Sequence, residues 1–291
     1  PNALHYYRML KEAGFSAYFV GGSVRDLLLG KRPKDFDIAT NATPQQIKRV
    51  IPQGRIIGRR FRHVMLERSG GRYEIVTFRG PILQNEEEAV EAEDATAENE
   101  AGEPIESPQI QDKNRKHPDL NQFGNAEQDA LRRDFTINAL FYDPDSDELV
   151  DYVEGKLDVD RRLVRSIGDP MLRMTEDPIR ILRAIRHKMK LGLEYDPALE
   201  AAMREKAPLL EETSKDRIRE EFLKVCVDQS LGSFLTEGRR LGLAPFIMPW
   251  FDGIAEDLWE DGVKIWEQFK QHTDLEKSHS DLGLALMLSL I

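Results

Sequence analysis

Ala17-Tyr18-Phe19-Val20-Gly21-Gly22-Ser23-Val24-Arg25-Asp26, followed nine residues later by Asp35-Phe36-Asp37-Ile38-Ala39-Thr40, is the stretch on which the fold turns. Its apolar start reads as a strand, the glycine pair as a turn and Val24–Leu29 as a short helix, with Ser23 placed to cap it. The loop Gly30-Lys31-Arg32-Pro33-Lys34 then leads into a second strand that opens with two aspartates. Residues i and i+2 of a strand point to one face, so Asp35 and Asp37 project side by side while Phe36 points away. Gly21 and Gly22 allow a ligand close to the backbone, and the first amides of the helix suit an anion. Arg25 lies near the same phosphate position. Paired hard carboxylates beside such a turn suit Mg²⁺ and the phosphates it carries. Either element alone is common on protein surfaces; the combination is what points to chemistry.

These residues resemble the nucleotidyltransferase superfamily, and within it the class II tRNA nucleotidyltransferase and bacterial poly(A) polymerase family. The likeness runs through four blocks in the family's order. They are Val20–Gly30, Lys34–Thr40, Arg132-Arg133-Asp134-Phe135-Thr136-Ile137-Asn138-Ala139-Leu140, and Glu176-Asp177-Pro178-Ile179-Arg180-Ile181-Leu182-Arg183-Ala184-Ile185-Arg186. The resemblance implies an α+β protein. Residues 1–150 would form a nucleotidyltransferase (polymerase beta-like) α/β catalytic head, 151–230 a neck for base recognition and RNA binding, and 231–291 a helical body.

Composition is consistent with this. The 291 residues, 40% hydrophobic and 32% charged, suffice for about two domains with a sizeable core. No apolar run reaches the length of a membrane span, and no signal peptide opens the chain, so the cytoplasm is the expected location. Cys226 is the only cysteine, which excludes an internal disulfide and a cysteine zinc site. The chain lacks an initial Met and ends in the apolar run Leu282–Ile291, which reads as a helix cut short. A net charge of −11 sits oddly with an RNA-handling protein until its distribution is seen. Ten acidic residues and no basic one lie between Glu86 and Glu106, and removing those ten takes −11 to −1. The segment from about Gln84 to Asn125 therefore reads as a disordered acidic insertion in the head.

Helical spacing marks Leu4–Ala13, and Ala17–Val20, Phe36–Ala39, Val64–Glu67 and Tyr73–Phe78 read as strands. Thr43 before Pro44 predicts an N-cap. Leu140–Tyr142 and Leu149–Tyr152 flank a turn, Arg162–Ser166 is a further strand candidate, and helical spacing dominates from Thr175.

Transfer of a nucleotide to an RNA 3′ hydroxyl requires that the hydroxyl be activated and the leaving pyrophosphate neutralised. Two Mg²⁺ ions roughly 3.5–4 Å apart do both. Asp35 and Asp37 are the expected metal ligands, with Glu74 on a neighbouring strand as a third candidate. Asp134 is the other, because the resemblance counts its position among the catalytic aspartates of the family's poly(A) polymerases. Gly21, Gly22, Ser23, Arg25, Arg133, Arg183 and Arg186 are expected at the triphosphate, and Asn138 at the sugar or primer. Asp177 and Arg180, three apart on a helix, share a face. A carboxylate and a planar guanidinium together imitate the edge of a partner base, so the resemblance gives them base choice without a template. The plainer reading of that pair is a helical ion pair.

Tailing enzymes that add A and enzymes that add CCA share all four blocks. Ile56-Ile57-Gly58-Arg59-Arg60-Phe61-Arg62-His63-Val64 looks like the glycine-Arg-Arg-Phe signature of the polymerases, and the Gly-x-x-His-Gly-Thr stretch of CCA-adding enzymes is absent. The long insertion ending in Asn121-Gln122-Phe123-Gly124-Asn125 also resembles the polymerases. The reading is thus a poly(A) polymerase using ATP, two Mg²⁺ ions and an RNA 3′ end (mRNA or tRNA), with Arg59 and Arg60 on the RNA. The alternatives are a tRNA nucleotidyltransferase adding CCA or part of it, and a non-catalytic RNA-binding relative.

Overall fold

The computed structural model describes residues 2–33, 35–58, 63–68, 71–80, 123–227, 231–247 and 261. Arg59, Arg60, most of the acidic insertion, Trp250, Trp259, Trp266 and the C-terminal apolar run lie outside the described residues. Two compact units are present. The first runs to Arg132 and takes in Phe141–Val150; the second holds Arg133–Leu140 and continues from Asp151.

The first unit is a mixed sheet with helices. In chain order come α1 (Asn2–Glu12), β1 (Ala17–Val20), α2 (Gly22–Leu28), β2 (Phe36–Thr40), α3 (Pro44–Val50), β3 (Arg55–Ile57), β4 (His63–Arg68) and β5 (Gly71–Thr77). Next are α4 (Ala126–Arg132), β6 (Leu140–Asp143) and β7 (Glu148–Asp151). The seven strands lie in the order β3-β4-β5-β2-β1-β6-β7. β2 runs antiparallel to β1 and parallel to β5, which makes it a central strand, and Ile38 and Ala39 are fully buried. The strand β3 carries no alternation of apolar and polar residues, which is why the sequence pattern did not reveal it. Thr43 and Gln46 form a reciprocal capping box at α3, with Pro44 in its first turn. Ser23 is not the cap of α2. The helix starts at Gly22, and Gly21 holds the cap position at φ 71°, a backbone region that glycine enters without steric cost. The Ser23 hydroxyl instead donates to the Val20 carbonyl at 3.1 Å.

The second unit is mainly helical. It contains a 3₁₀ turn (Thr136–Asn138), α5 (Gly155–Asp160), β8 (Leu163–Val164), α6 (Pro170–Glu176), α7 (Ile179–Leu191) and β9 (Glu194–Tyr195). There follow α8 (Pro197–Lys206), a second 3₁₀ turn (Ala207–Glu212), α9 (Lys215–Val227), α10 (Leu231–Arg240) and α11 (Ala244–Ile247). The candidate strand Arg162–Ser166 shrinks to β8 because Arg162, at φ 58°, stands in a turn. β8 pairs in parallel with β9, which is too short to show a period. α7 is the central helix, burying Ile179, Ile181, Leu182, Ala184, Ile185 and Leu191. Its start corrects one expectation. Asp177 is not helical: it caps α6 in an extended conformation (φ −151°, ψ 92°). Pro178 follows it, and proline disfavours helix for the residue before it.

A buried polar contact fixes α1 to the turn between β6 and β7. The Tyr7 hydroxyl, with no exposed surface, donates to Asp143 Oδ1 at 2.6 Å. Asp143 also accepts from the backbone N–H groups of Asp145 and Ser146 and from Lys11. Burial and the adjacent carboxylate push the Tyr7 pKa far up, so its proton stays available to donate. Tyr7→Phe should cost about 2 kcal/mol, since it leaves a buried acceptor short of a donor. Urea denaturation measures this, and a cost below about 0.5 kcal/mol would mean that the turn amides and Lys11 satisfy Asp143 by themselves.

Candidate active-site residues

In the first unit, strand register gathers the expected residues at one end of the sheet. Val20 pairs with Asp37 across β1 and β2, so the Gly21–Gly22 turn begins one step beyond that pair. Asp37 pairs with Glu74 across the parallel strands β2 and β5. Registered neighbours share a face, so Asp37 and Glu74 lie on one face of the sheet. Asp35 lies just before β2 and is exposed; Asp37 and Glu74 are half-buried. Glu74 Oε1 is also 3.5 Å from His63 Nδ1 on β4. Among the described residues no group of three or more His, Cys, Asp or Glu side chains is close enough together to hold a metal ion. The donor chemistry nevertheless fits Mg²⁺, which takes one or two carboxylates and fills the rest of its octahedron with water and phosphate oxygens. Asp35 and Asp37 meet that requirement; Glu74 is shared with His63.

The Arg25 side chain folds back against the glycine turn. A Cβ on Gly22 would come within 3.4 Å of the Arg25 guanidinium. Arg25 is buried, and its Nε and Nη2 donate to Asp26 Oδ1 at 2.9 and 2.6 Å. The guanidinium expected at a phosphate is therefore held against its neighbour's carboxylate.

In the second unit, the remaining residues form an ion-pair lattice around α7. Asp134 stands just before the 3₁₀ turn. Its Oδ1 accepts from the Phe135 N–H at 2.8 Å and from Asn138 Nδ2 at 3.2 Å. Its Oδ2 is 2.6 Å from Arg183 Nη2. Burial raises the Asp134 pKa, but the Arg183 guanidinium and the two hydrogen bonds outweigh it and hold the carboxyl well below the usual range. Asp134 in turn raises the pKa of Arg183. Arg133 Nη1 donates to the Asn138 carbonyl at 3.0 Å, and the Arg133 carbonyl accepts from Arg173 Nη2 at 2.6 Å.

Asp177 and Arg180 do not pair with each other. Arg217 Nη2 lies 2.9 Å from Asp177 Oδ2. Arg180 Nη1 donates to the Arg173 carbonyl at 2.7 Å and to Glu176 at 3.0 Å. Each group is oriented separately, and Asp177 Oδ1 is buried with no hydrogen-bond partner among the described residues. Arg186 meets Glu221 at 2.9 Å, and Glu221 also meets Lys224 at 2.6 Å. Sequence reasoning missed His187, Arg173, Arg217 and Glu221. The signal for His187 was present: Arg183 and His187 repeat on α7 the four-residue spacing of Asp134 and Asn138.

A mixed sheet with a glycine turn and paired aspartates at one end, together with an arginine-rich helical unit, defines the nucleotidyltransferase class. The chain belongs to the family described as the Poly A polymerase head domain, which it matches over residues 17–165. Residues 192–253 match a second family, described as "Probable RNA and SrmB- binding site of polymerase A". Poly(A) polymerase I of Haemophilus influenzae is 44% identical over 227 residues, 77% of this chain and 46% of that protein. The CCA-adding enzyme of Bacillus licheniformis is 32% identical over 273 residues, 94% of this chain and 62% of that protein. The crystal structure of the Bacillus stearothermophilus CCA-adding enzyme in complex with CTP superposes with a TM-score of 0.65. It is 29% identical and covers 90% of this chain and 56% of its own. The chain spans about half the length of the poly(A) polymerases it matches.

Asp134→Asn should destabilise the fold by roughly 2 kcal/mol at pH 7, between the values for exposed and fully buried ion pairs. Because the folded pKa is depressed, the charge stabilises the fold above the unfolded carboxylate pKa, and that contribution drains away as pH falls through the folded value. The gap between the variant and the unaltered chain should therefore narrow below about pH 4. Urea titrations at stepped pH check this, and a gap that stays constant would remove the charge as its source.

Proposed function

We propose that this chain is the catalytic portion of a template-independent RNA nucleotidyltransferase that adds AMP from ATP to RNA 3′ ends, releasing pyrophosphate. The observation that carries the reading is the register Val20–Asp37–Glu74, which sets paired carboxylates beside the glycine turn. Mg²⁺, two ions in this reading, would be held by Asp35 and Asp37 with Glu74 as a less central ligand. When bound it supplies charge neutralisation at the phosphates and lowers the pKa of the attacking hydroxyl. In the same reading the Gly21–Gly22 turn, with Ser23, admits the triphosphate close to the backbone, and Arg25, Arg133, Arg183 and Arg186 bear on its charge.

Asp134 serves as a catalytic carboxylate; its depressed pKa keeps it an acceptor at neutral pH. Asn138 binds the sugar or primer end. Asp177 and Arg180 choose the base. The support is that each is held by a different partner, and that Asp177 Oδ1 keeps an open acceptor for a base amine. Arg59 and Arg60 bind RNA by charge. Residues 1–150 act as the head, 151–230 as the neck and 231–291 as the body. No helix among the described residues is long and apolar enough to cross a membrane, and we place the protein with its RNA and ATP in the cytoplasm.

AMP is favoured over CCA because the 44%-identical relative is a poly(A) polymerase, whereas the CCA-adding relative is 32% identical. The second reading, CCA or partial CCA addition to tRNA, keeps its support from the fold shared with the CTP complex.

Incubating the chain with Mg²⁺, a generic RNA primer and each nucleoside triphosphate in turn should give long A tails and no use of CTP. Asp35→Ala or Asp37→Ala should lower the rate at least about 10³-fold, the scale of losing a group that anchors transition-state charge. Primer binding should be largely unchanged. Addition that stops after one to three nucleotides and needs tRNA would establish the second reading. Equal activity of variant and unaltered chain would remove the catalytic one.

A further inference from the structure

His187 is buried, at 5% exposure, on α7 one turn after Arg183. Its ring packs edge-on against Phe135 at 5.7 Å, with 81° between the planes. Its Nε2 lies 3.2 Å from Asn138 Nδ2. That same Nδ2 donates one proton to Asp134 Oδ1. An amide nitrogen carries two protons and accepts none, so the second proton is the one directed at His187. The Asn138 amide cannot be turned round without setting its oxygen against the ionised Asp134 carboxylate. His187 Nε2 is therefore an acceptor, and the ring proton sits on Nδ1.

Two i,i+4 pairs thus grip one another. On α7, Arg183 holds Asp134 and His187 holds Asn138, while Asn138 Nδ2 links the two grips. An unanchored Asn138 has a rotatable amide and two alternative faces. With both protons directed, its oxygen and its backbone carbonyl, the latter held by Arg133, are left in one orientation.

We propose that His187 is a positioning residue: as the Nδ1–H tautomer it fixes the Asn138 amide, and through it the primer-binding geometry beside Asp134. This rests on the proposed function only for the roles of Asn138 and Asp134; the tautomer and the grip stand on geometry. Aromatic bulk alone would fill the space against Phe135. What phenylalanine lacks is the acceptor, which a glutamine oxygen restores.

The test has two arms. In the chain labelled with ¹⁵N-histidine, long-range imidazole correlations at neutral pH should show one ring, absent in H187F, as the neutral Nδ1–H tautomer. An Nε2–H or doubly protonated ring would overturn the proposal. In AMP incorporation, H187F should raise the primer KM about fivefold to tenfold, the scale of one lost hydrogen bond, with kcat within about twofold. H187Q should recover most of that loss. Equal losses in both variants, or none in either, would overturn it, as would a loss in kcat alone. If the unaltered chain extends no primer, the proposed function fails, and the imidazole arm, which needs no activity and no stable variant other than for assignment, decides this inference by itself.

Discussion

An ionised carboxylate kept largely out of water is the constraint on which the helical unit depends. Asp134 keeps its charge because two donors and a guanidinium oppose the cost of its burial. One donor is its neighbour's backbone, which requires the bend at 133–135. Another is Asn138, which requires the 3₁₀ turn. The guanidinium comes from α7, which requires that helix to begin soon after Pro178. Remove the charge and each of these local choices loses part of its reason. The short segment Arg133–Leu140 consequently groups with the helices from Asp151 onward and not with the strands that flank it in sequence.

The same logic explains how so many arginines crowd one region without repelling each other. Arg173 and Arg180 share Glu176, Arg183 takes Asp134, Arg186 takes Glu221 and Arg217 takes Asp177. Proximity still leaves a mark: burial and the neighbouring Arg180 lower the pKa of Arg173. In two of the ion pairs the carboxylate is the deeper partner: Asp134 is more buried than Arg183, and Glu221 more than Lys224, whereas Glu176 is more exposed than the two arginines that share it. The cations are thus held in set orientations by neighbouring carboxylates.

Much of this was legible in the residues. The strand–turn–helix at Ala17–Leu28, the strand bearing Asp37, the capped helix at Pro44 and the long helix of Ile179–Leu191 followed from period, glycine and proline. The exceptions have physical causes. Ser23 looks like a cap, yet Gly21 can take a positive φ that serine would resist, so the cap moves back two residues. Asp177 and Arg180 look like one helical face, but Pro178 breaks the helix between them. Strands of two or three residues, β3, β8 and β9, are too short to show a period. Ion-pair partners such as Glu221 and Arg217 come from tertiary packing of α9, and spacing within α7 holds no trace of them. His187 is the intermediate case: its spacing from Arg183 was visible, but its use required knowing where Asn138 lies.

Register makes the placement of Asp37 an all-or-none arrangement. Asp37 is opposite Val20 on one side and Glu74 on the other, so three strands must agree for the carboxylates to share a face beside the turn. A slip of one residue in β2 would carry Asp37 to the opposite face and bring Phe36 to its own. The buried pair Ile38 and Ala39 resists that slip, because they sit on a central strand between β1 and β5 with no exposed surface. Phe36 adds to it through an edge-on contact with Phe19 at 5.5 Å. The position of Asp37 is therefore tied to the apolar packing of the strand that carries it.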